Sequence, residues 1–217
     1  VLKGILVKIL PAFIICTAMF FVCSSSVFAA EGGTLKDDPK ETWGWRTAMI
    51  TSLVLTLAAN PFHADEYSLT LMHSDANVGG FKAGFRWFPE GKLAFLEGTN
   101  FKHYYHVAYN YWQSLSINGQ EGVNNVLELS PIFRYSFNDN AWLSFVETSA
   151  GISLFARTEL NDRKFSTHFQ FSNMLALGGY ITEKASWNIQ LQHYSNNSIK
   201  LPNNGINFYN FGISYRY

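Results

Sequence analysis

Trp187-Asn188-Ile189-Gln190-Leu191-Gln192-His193-Tyr194-Ser195 is the run whose pattern decides the fold. Successive side chains of an extended strand point to opposite faces, so Trp187, Ile189 and Leu191 share one face and Asn188, Gln190 and Gln192 the other. The last stretch repeats the pattern, with Tyr209, Phe211, Ile213, Tyr215 and Tyr217 set against Asn210, Ser214 and Arg216. Further back, Phe81, Ala83, Phe85 and Trp87 oppose Lys82, Gly84 and Arg86, and Leu127, Leu129, Phe133, Tyr135 and Phe137 oppose Glu128, Ser130, Arg134 and Ser136. Phe169, Phe171, Leu175 and Leu177 oppose His168, Gln170 and Ser172. Turn residues interrupt the pattern, and eight strands are predicted: 66–73, 79–88, 101–116, 125–137, 142–155, 167–180, 184–196 and 206–217. The fifth alternates poorly, with Glu147 beside Phe145 and Thr148, and its facing stays open.

Composition narrows the class. The 217 residues carry a formal net charge of +0, and 15% are charged, 47% hydrophobic and 17% aromatic. Soluble chains usually carry about 25% charged residues. With neither a charge excess nor a basic stripe, a disordered or nucleic-acid-coating protein is excluded. Past residue 64 no run approaches the ~20 apolar residues of a membrane-spanning helix. The two cysteines, Cys16 and Cys23, both lie in the first apolar stretch, which leaves no disulfide framework or thiolate metal site for the body.

The N-terminal part is expected to be an address. Lys3 and Lys8, the apolar run from Ile9 to Val22 and the small residues around Ala29 make residues 1–29 a secretory signal peptide. Residues 30–64 hold a second apolar stretch, Ala48 to Ala59, read either as a second signal-like stretch or as the mark of a misplaced chain start. Residues 65–217 remain, 217 − 64 = 153 residues, a single domain.

A soluble sandwich or a lipocalin-like barrel would show the same period of two. Three features point instead to lipid. Lys, Arg, Glu and Gln on the non-apolar face are poor core residues for a soluble barrel, the aromatics gather towards strand ends, and Tyr217 closes the last strand with an aromatic. The expected fold is therefore all-β: an eight-stranded antiparallel transmembrane β-barrel in the outer membrane. Short turns such as Asn138-Asp139-Asn140 and Thr182-Glu183 are expected at one end, and long loops over 157–166 and 197–205 at the other. Eight strands leave an interior filled by side chains, so a porin channel is not expected and function belongs to the loops or the wall.

On that wall one group is out of place. The parity of Trp187, Ile189 and Leu191 carries His193 and Ser195 towards lipid, and that of Tyr209, Phe211 and Ile213 carries Asn207 there too. A hairpin folding about Lys200 sets 193 opposite 207. Polar groups facing hydrocarbon are costly without partners or a task. A His-x-Ser pair alone is common in strands; the shared facing and the Asn across the hairpin make this one specific. The chemistry suits ester hydrolysis, with Ser195 as nucleophile, His193 as base and Asn207 fixing the imidazole tautomer. Asn196 could supply a side-chain or backbone donor to the oxyanion. A neutral Asn adds no charge to steady an imidazolium, and with no Asp or Glu after Glu183 in the last two strands, no carboxylate is expected nearby. Asn203, Asn204 and Gly205 read as turn residues, and His103, His106 and His168 as lumen or girdle residues. Spacing predicts no metal and no cofactor.

His193-Tyr194-Ser195-Asn196 followed by Ile199-Lys200-x-Pro202-Asn203-x-Gly205-Ile206 resembles the signature of the lipid A 3-O-deacylases of Gram-negative outer membranes. The resemblance runs over roughly residues 65–217 and includes Phe85-Arg86-Trp87. It implies an eight-stranded barrel acting on the ester-linked hydroxyacyl chain at position 3 of lipid A, with His193 as base, Ser195 as nucleophile and Asn196 at the oxyanion. The expected partners are lipid A or lipopolysaccharide acyl chains and outer-membrane lipids, with no nucleic acid and a homodimer left open. The family's third member is usually Glu where this chain has Asn207. A His-x-Ser-Asn core with Asn fourteen residues after the His (207 − 193 = 14) also resembles outer-membrane phospholipase A, a larger, calcium-dependent barrel. Phospholipid hydrolysis is therefore the alternative activity, and a non-catalytic barrel with a degenerate site the alternative class.

Overall fold

The computed structural model describes residue 60 and residues 62–217 apart from 92, 116–121 and 138–141. Eight long strands close into one antiparallel barrel: β1 (Glu66–Ser74), β2 (Val78–Trp87), β3 (Phe101–Ser114), β4 (Val123–Ser136), β5 (Phe145–Phe155), β8 (Phe169–Tyr180), β9 (Ala185–Ser195) and β10 (Ile206–Arg216). Two short strands, β6 (Glu159–Leu160) and β7 (Arg163–Lys164), form a small hairpin in the connection between β5 and β8. The wall runs β1-β10-β9-β8-β5-β4-β3-β2, and β1 closes it against β10 from Glu66↔Arg216 to Ser74↔Phe208. Closure leaves no unpaired edge, which is the condition for a sheet to survive in hydrocarbon.

Inside and outside are inverted relative to a soluble protein. Buried lumen side chains pair by charge: Arg86 with Glu66 at 2.5 Å, Arg134 with Glu147 at 2.6 Å, and Lys82 with Glu128 at 3.8 Å. Tyr104 donates to Glu147 and Tyr194 to Glu128, so the carboxylates gain further partners. The outer wall is apolar and open, with Leu71 62% and Leu191 55% exposed beside Leu175, Leu177, Ile189, Phe211 and Ile213. A wall of this kind needs lipid as its solvent. Near the chain's end of the barrel, Trp142 stacks on Trp187 at 4.7 Å and Tyr67 meets Tyr215 and Tyr217, as an interface girdle requires.

The fifth strand is regular. Phe145, Glu147, Ser149, Gly151, Ser153 and Phe155 point inwards, and Val146, Thr148, Ala150, Ile152 and Leu154 outwards. Its inward set is mostly small and polar and its outward set includes Thr and Ala, so hydropathy carries little contrast there. The connections do not sort into short and long ends as expected. The 88–100 connection, at the end that holds both termini of the barrel, is as long as the 156–168 connection at the other end, and it anchors itself through buried Leu96. The Asn138-Asp139-Asn140 turn and the 1–29 signal peptide lie outside the described residues, as does most of 30–64. What is described of the latter belongs to the barrel: Phe62 packs edge-on against Phe85 at 5.0 Å, and Trp87 Nε1 donates to the Phe62 carbonyl. Among the described residues, contacts with the barrel thus reach back to Phe62.

At the end away from the termini, an apolar plug fills the lumen. Trp112 meets Tyr194 at 5.0 Å and Phe208 at 4.7 Å, and Phe155 meets Phe165 at 5.0 Å. This plug is the rigid backing for the wall outside it.

Candidate functional site

Tyr194 is the anchor on which the site is built. It points inwards, fully buried in the plug, and its hydroxyl donates to Glu128 Oε2 at 2.7 Å. Gln192, one step before His193, is also held inside by Glu128 and Lys82. With residues 192 and 194 fixed inwards, strand geometry drives His193 and Ser195 outwards. His193 is exposed and Ser195 half-buried on the outer face.

Register supplies the partner. Pairs between β9 and β10 sum to 400, from Tyr194↔Ile206 to Ala185↔Tyr215, so Asn207 stands across from His193. Asn207 Oδ1 lies 2.7 Å from His193 Nδ1. The other side of the same carboxamide meets a residue that the sequence reading left out: Asn207 Nδ2 donates to Asp75 Oδ2 at 3.3 Å. Pairs between β1 and β10 sum to 282, and 75 + 207 = 282, so Asp75 lies one step past the last β1–β10 pair and directly in line. The expectation that no carboxylate stands near is corrected here: it arrives from the turn after β1, across the barrel's closing seam. A carboxylate only accepts hydrogen bonds, so it must face the NH2 of Asn207 and turn the carbonyl oxygen to His193. The imidazole then donates from Nδ1 and keeps Nε2 free as an acceptor.

Ser195 sits on the same face as His193 and across from Phe171 of β8. Its hydroxyl has no hydrogen-bond partner among the described residues, His193 included. Nucleophile–base contacts are often long before substrate arrives. Asn196 is placed differently. Its side chain points inwards, fully buried, and Nδ2 donates at 2.8 Å to the carbonyls of both Phe165 and Lys200. Its backbone N–H donates to Asn203 Oδ1 at 3.2 Å. The Asn196 amide therefore ties the loop to the plug, and only its backbone donor remains near the outer face.

The loop after β9 is built against the imidazole. Gly205 has φ +57, and a Cβ there would lie 3.0 Å from His193 Cε1 and 3.1 Å from the Tyr194 carbonyl. Asn204 pairs both ways with the Lys164 backbone, at 3.1 and 3.0 Å, and Ser166 donates to the Pro202 carbonyl, so the β6–β7 hairpin braces this loop. The predicted turn residues thus have distinct tasks. Asn173 of β8, outward and exposed, pairs with His193 from the other side. Asn173, His193, Asn207 and Asp75 form a polar row across three neighbouring strands and the turn after β1. Beneath it the wall is apolar, with grooves lined by Ala150, Leu175, Leu191 and Tyr209 and by Leu71, Leu177, Ile189 and Phe211.

Of the other histidines, His73 is exposed on β1 across from Tyr209 and lines the groove of Leu71 and Phe211, and His63 is exposed before β1. His106 is inside, 3.0 Å from Ser68 Oγ, while His168 Nδ1 meets the Phe155 carbonyl at 2.8 Å and His103 is buried on the outer face. Among the described residues no three His, Cys, Asp or Glu side chains gather as a metal site.

A family model described as lipid A 3-O-deacylase (PagL) matches residues 79–216, a span that includes the whole polar row apart from Asp75. The chain belongs to this family. It is 29% identical over 107 residues to the lipid A deacylase PagL of Pseudomonas aeruginosa strain PAO1, covering 49% of this chain and 60% of the relative. It is 26% identical over 110 residues to lipid A deacylase PagL of Bordetella bronchiseptica strain RB50, covering 50% and 58%. The chain spans about three fifths of the length of these curated relatives. The crystal structure of the outer membrane enzyme PagL superposes with a TM-score of 0.59 at 21% identity, covering 70% of this chain and 99% of that one, which establishes the shared barrel fold. With its inverted wall, this deacylase-family chain is an outer-membrane β-barrel.

Proposed function

We propose that this barrel is a serine esterase that removes the ester-linked 3-O acyl chain of lipid A from its lipid-facing wall. The observation that carries the reading is the 2.7 Å contact between His193 Nδ1 and Asn207 Oδ1, on the outer face and two residues from a Ser195 that shares that face. A polar pair of that kind beside apolar grooves is hard to account for as structure alone. The grooves suit an acyl chain lying along the wall, with its ester at the level of the polar row.

In the reaction, Ser195 Oγ attacks the acyl carbonyl and its proton passes to His193 Nε2. Asn207 holds the ring in the required tautomer. The backbone N–H of Asn196 is the donor available to the developing oxyanion, and substrate would displace the Asn203 carboxamide oxygen that now accepts from it. The imidazolium returns its proton to the departing 3-hydroxyl of the sugar. Water, activated by the same imidazole, then releases the free fatty acid from the acyl-enzyme.

The test is lipid analysis of purified protein incubated with lipid A and, separately, with phospholipid. Release of one hydroxyacyl chain from lipid A, abolished by Ser195→Ala and by His193→Ala, is expected. Lysophospholipid as the main product would assign the phospholipase activity instead. No hydrolysis of either by a folded barrel would leave a non-catalytic wall.

A further inference from the structure

Asp75 completes the polar row, and its two oxygens are divided between distinct tasks. Oδ1 accepts from Ser74 Oγ at 3.2 Å and lies 4.0 Å from Arg163 of the β6–β7 hairpin, which together set the carboxylate's orientation. Oδ2 accepts from Asn207 Nδ2 at 3.3 Å. The Asn207 carboxamide is thus held at both ends, by a group that can only accept and by an imidazole that can accept or donate. Without the acceptor-only partner the amide could turn over. Its NH2 would then face His193 Nδ1, and the ring proton would move to Nε2, the atom that must be free to take the Ser195 proton.

Resting on the esterase reading above, we propose that Asp75 is a positioning residue of this site. Through Asn207 it fixes the His193 tautomer and supplies, one residue removed, the negative charge that position 207 lacks. The arrangement is a relay of carboxylate, carboxamide and imidazole across the seam between β1 and β10, and then to the hydroxyl on β9. It reconciles an Asn at position 207 with hydrolytic chemistry. Developing positive charge on the ring is felt by the carboxylate through the polarised amide, and that effect is weaker than direct contact because Asp75 is 39% exposed.

The relay is tested by Asp75→Ala in two backgrounds, the natural Asn207 and Asn207→Glu, by measuring kcat and KM for lipid A in mixed micelles. In the natural background kcat is expected to fall about tenfold with KM nearly unchanged, the low end for an exposed charge-assisted hydrogen bond. In Asn207→Glu the ring contacts a carboxylate directly, and Asp75 becomes a like charge beside it. Asp75→Ala should therefore cause no loss there, or a gain. Equal losses in both backgrounds, as a purely structural turn residue would give, overturn the proposal, as does no loss in either. A second readout needs no turnover. In micelles of 15N-histidine-labelled protein, with the His193 signals assigned by their loss in His193→Gln, wild type should show the Nδ1–H tautomer and Asp75→Ala a shift towards Nε2–H. An unchanged tautomer overturns the proposal. Should wild type hydrolyse no lipid A, the esterase reading fails by itself, and the tautomer measurement still decides for or against the role of Asp75.

Discussion

Gly205→Ala isolates the geometry of the imidazole from everything else in the barrel. Position 205 has φ +57, a region where a side chain adds roughly 1–2 kcal/mol of strain. Space adds a second effect that is specific to the site. The new methyl would stand 3.0 Å from His193 Cε1, where ordinary contact begins at 3.4 Å, so the ring must give by 3.4 − 3.0 = 0.4 Å. The Tyr194 carbonyl on the methyl's other side, at 3.1 Å, belongs to the strand pinned by the plug and cannot yield in its place. Misplacing a reacting group by 1 Å costs about a hundredfold, so a shift of this size predicts a five- to tenfold fall in kcat, roughly. Gly98→Ala is the control, because φ is +74 there, nothing lies within 4 Å of the added methyl, and the position belongs to the far end of the barrel. Urea titration followed by the gel mobility of the folded barrel should show similar destabilisation in both variants. Acyl release from lipid A, measured per folded molecule, should fall only in Gly205→Ala. A wild-type rate in Gly205→Ala, or an equal fall in Gly98→Ala, would refute the claim that the loop is shaped around His193.

Other outcomes follow from the same contacts. Asn207→Ala removes the 2.7 Å partner of His193 and should lower activity roughly ten- to a hundredfold, whereas Asn207→Glu should retain or raise it; equal rates in all three would remove Asn207 from the mechanism. Glu147→Ala strips the buried Arg134 guanidinium of its carboxylate and should destabilise the barrel by about 3–5 kcal/mol in urea titration, with activity per folded molecule unchanged. Chelation by EDTA should leave lipid A hydrolysis unaffected; a calcium requirement would move the assignment towards the phospholipase activity.

Alternation makes the architecture legible, because a wall between a polar lumen and lipid forces a period of two on every strand. Each of the eight strands falls within three residues of its predicted bounds. The fifth is the exception in facing, since Ser149, Gly151 and Ser153 inside differ little in hydropathy from Thr148 and Ala150 outside. The pairing of His193 with Asn207 is also readable, because a hairpin is local and its centre follows from the loop between the strands. Asp75 is not readable in that way. It lies 132 residues from Asn207, and only the closure of β1 on β10 aligns them. The signal available is indirect: once a closed barrel is assumed, the first and last strands must pair, and a carboxylate just past the end of the first strand becomes a candidate neighbour of position 207. The inward turn of the Asn196 side chain follows from the parity that sends Ser195 out, and its use as a loop tie depends on the long-range arrival of Phe165.

The central claim is that the Ser195 hydroxyl, turned to the bilayer beside His193, breaks an ester bond of lipid A. Mass spectrometry of lipid A from cells producing the wild-type barrel and Ser195→Ala, matched for folded protein in the outer membrane, tests it most directly. The wild type should yield lipid A lighter by one 3-O-linked hydroxyacyl group. Ser195→Ala, which removes a hydroxyl without a hydrogen-bond partner among the described residues and so should leave the fold intact, should lower that product by about three orders of magnitude. The same lipid A profile from both proteins would contradict the account.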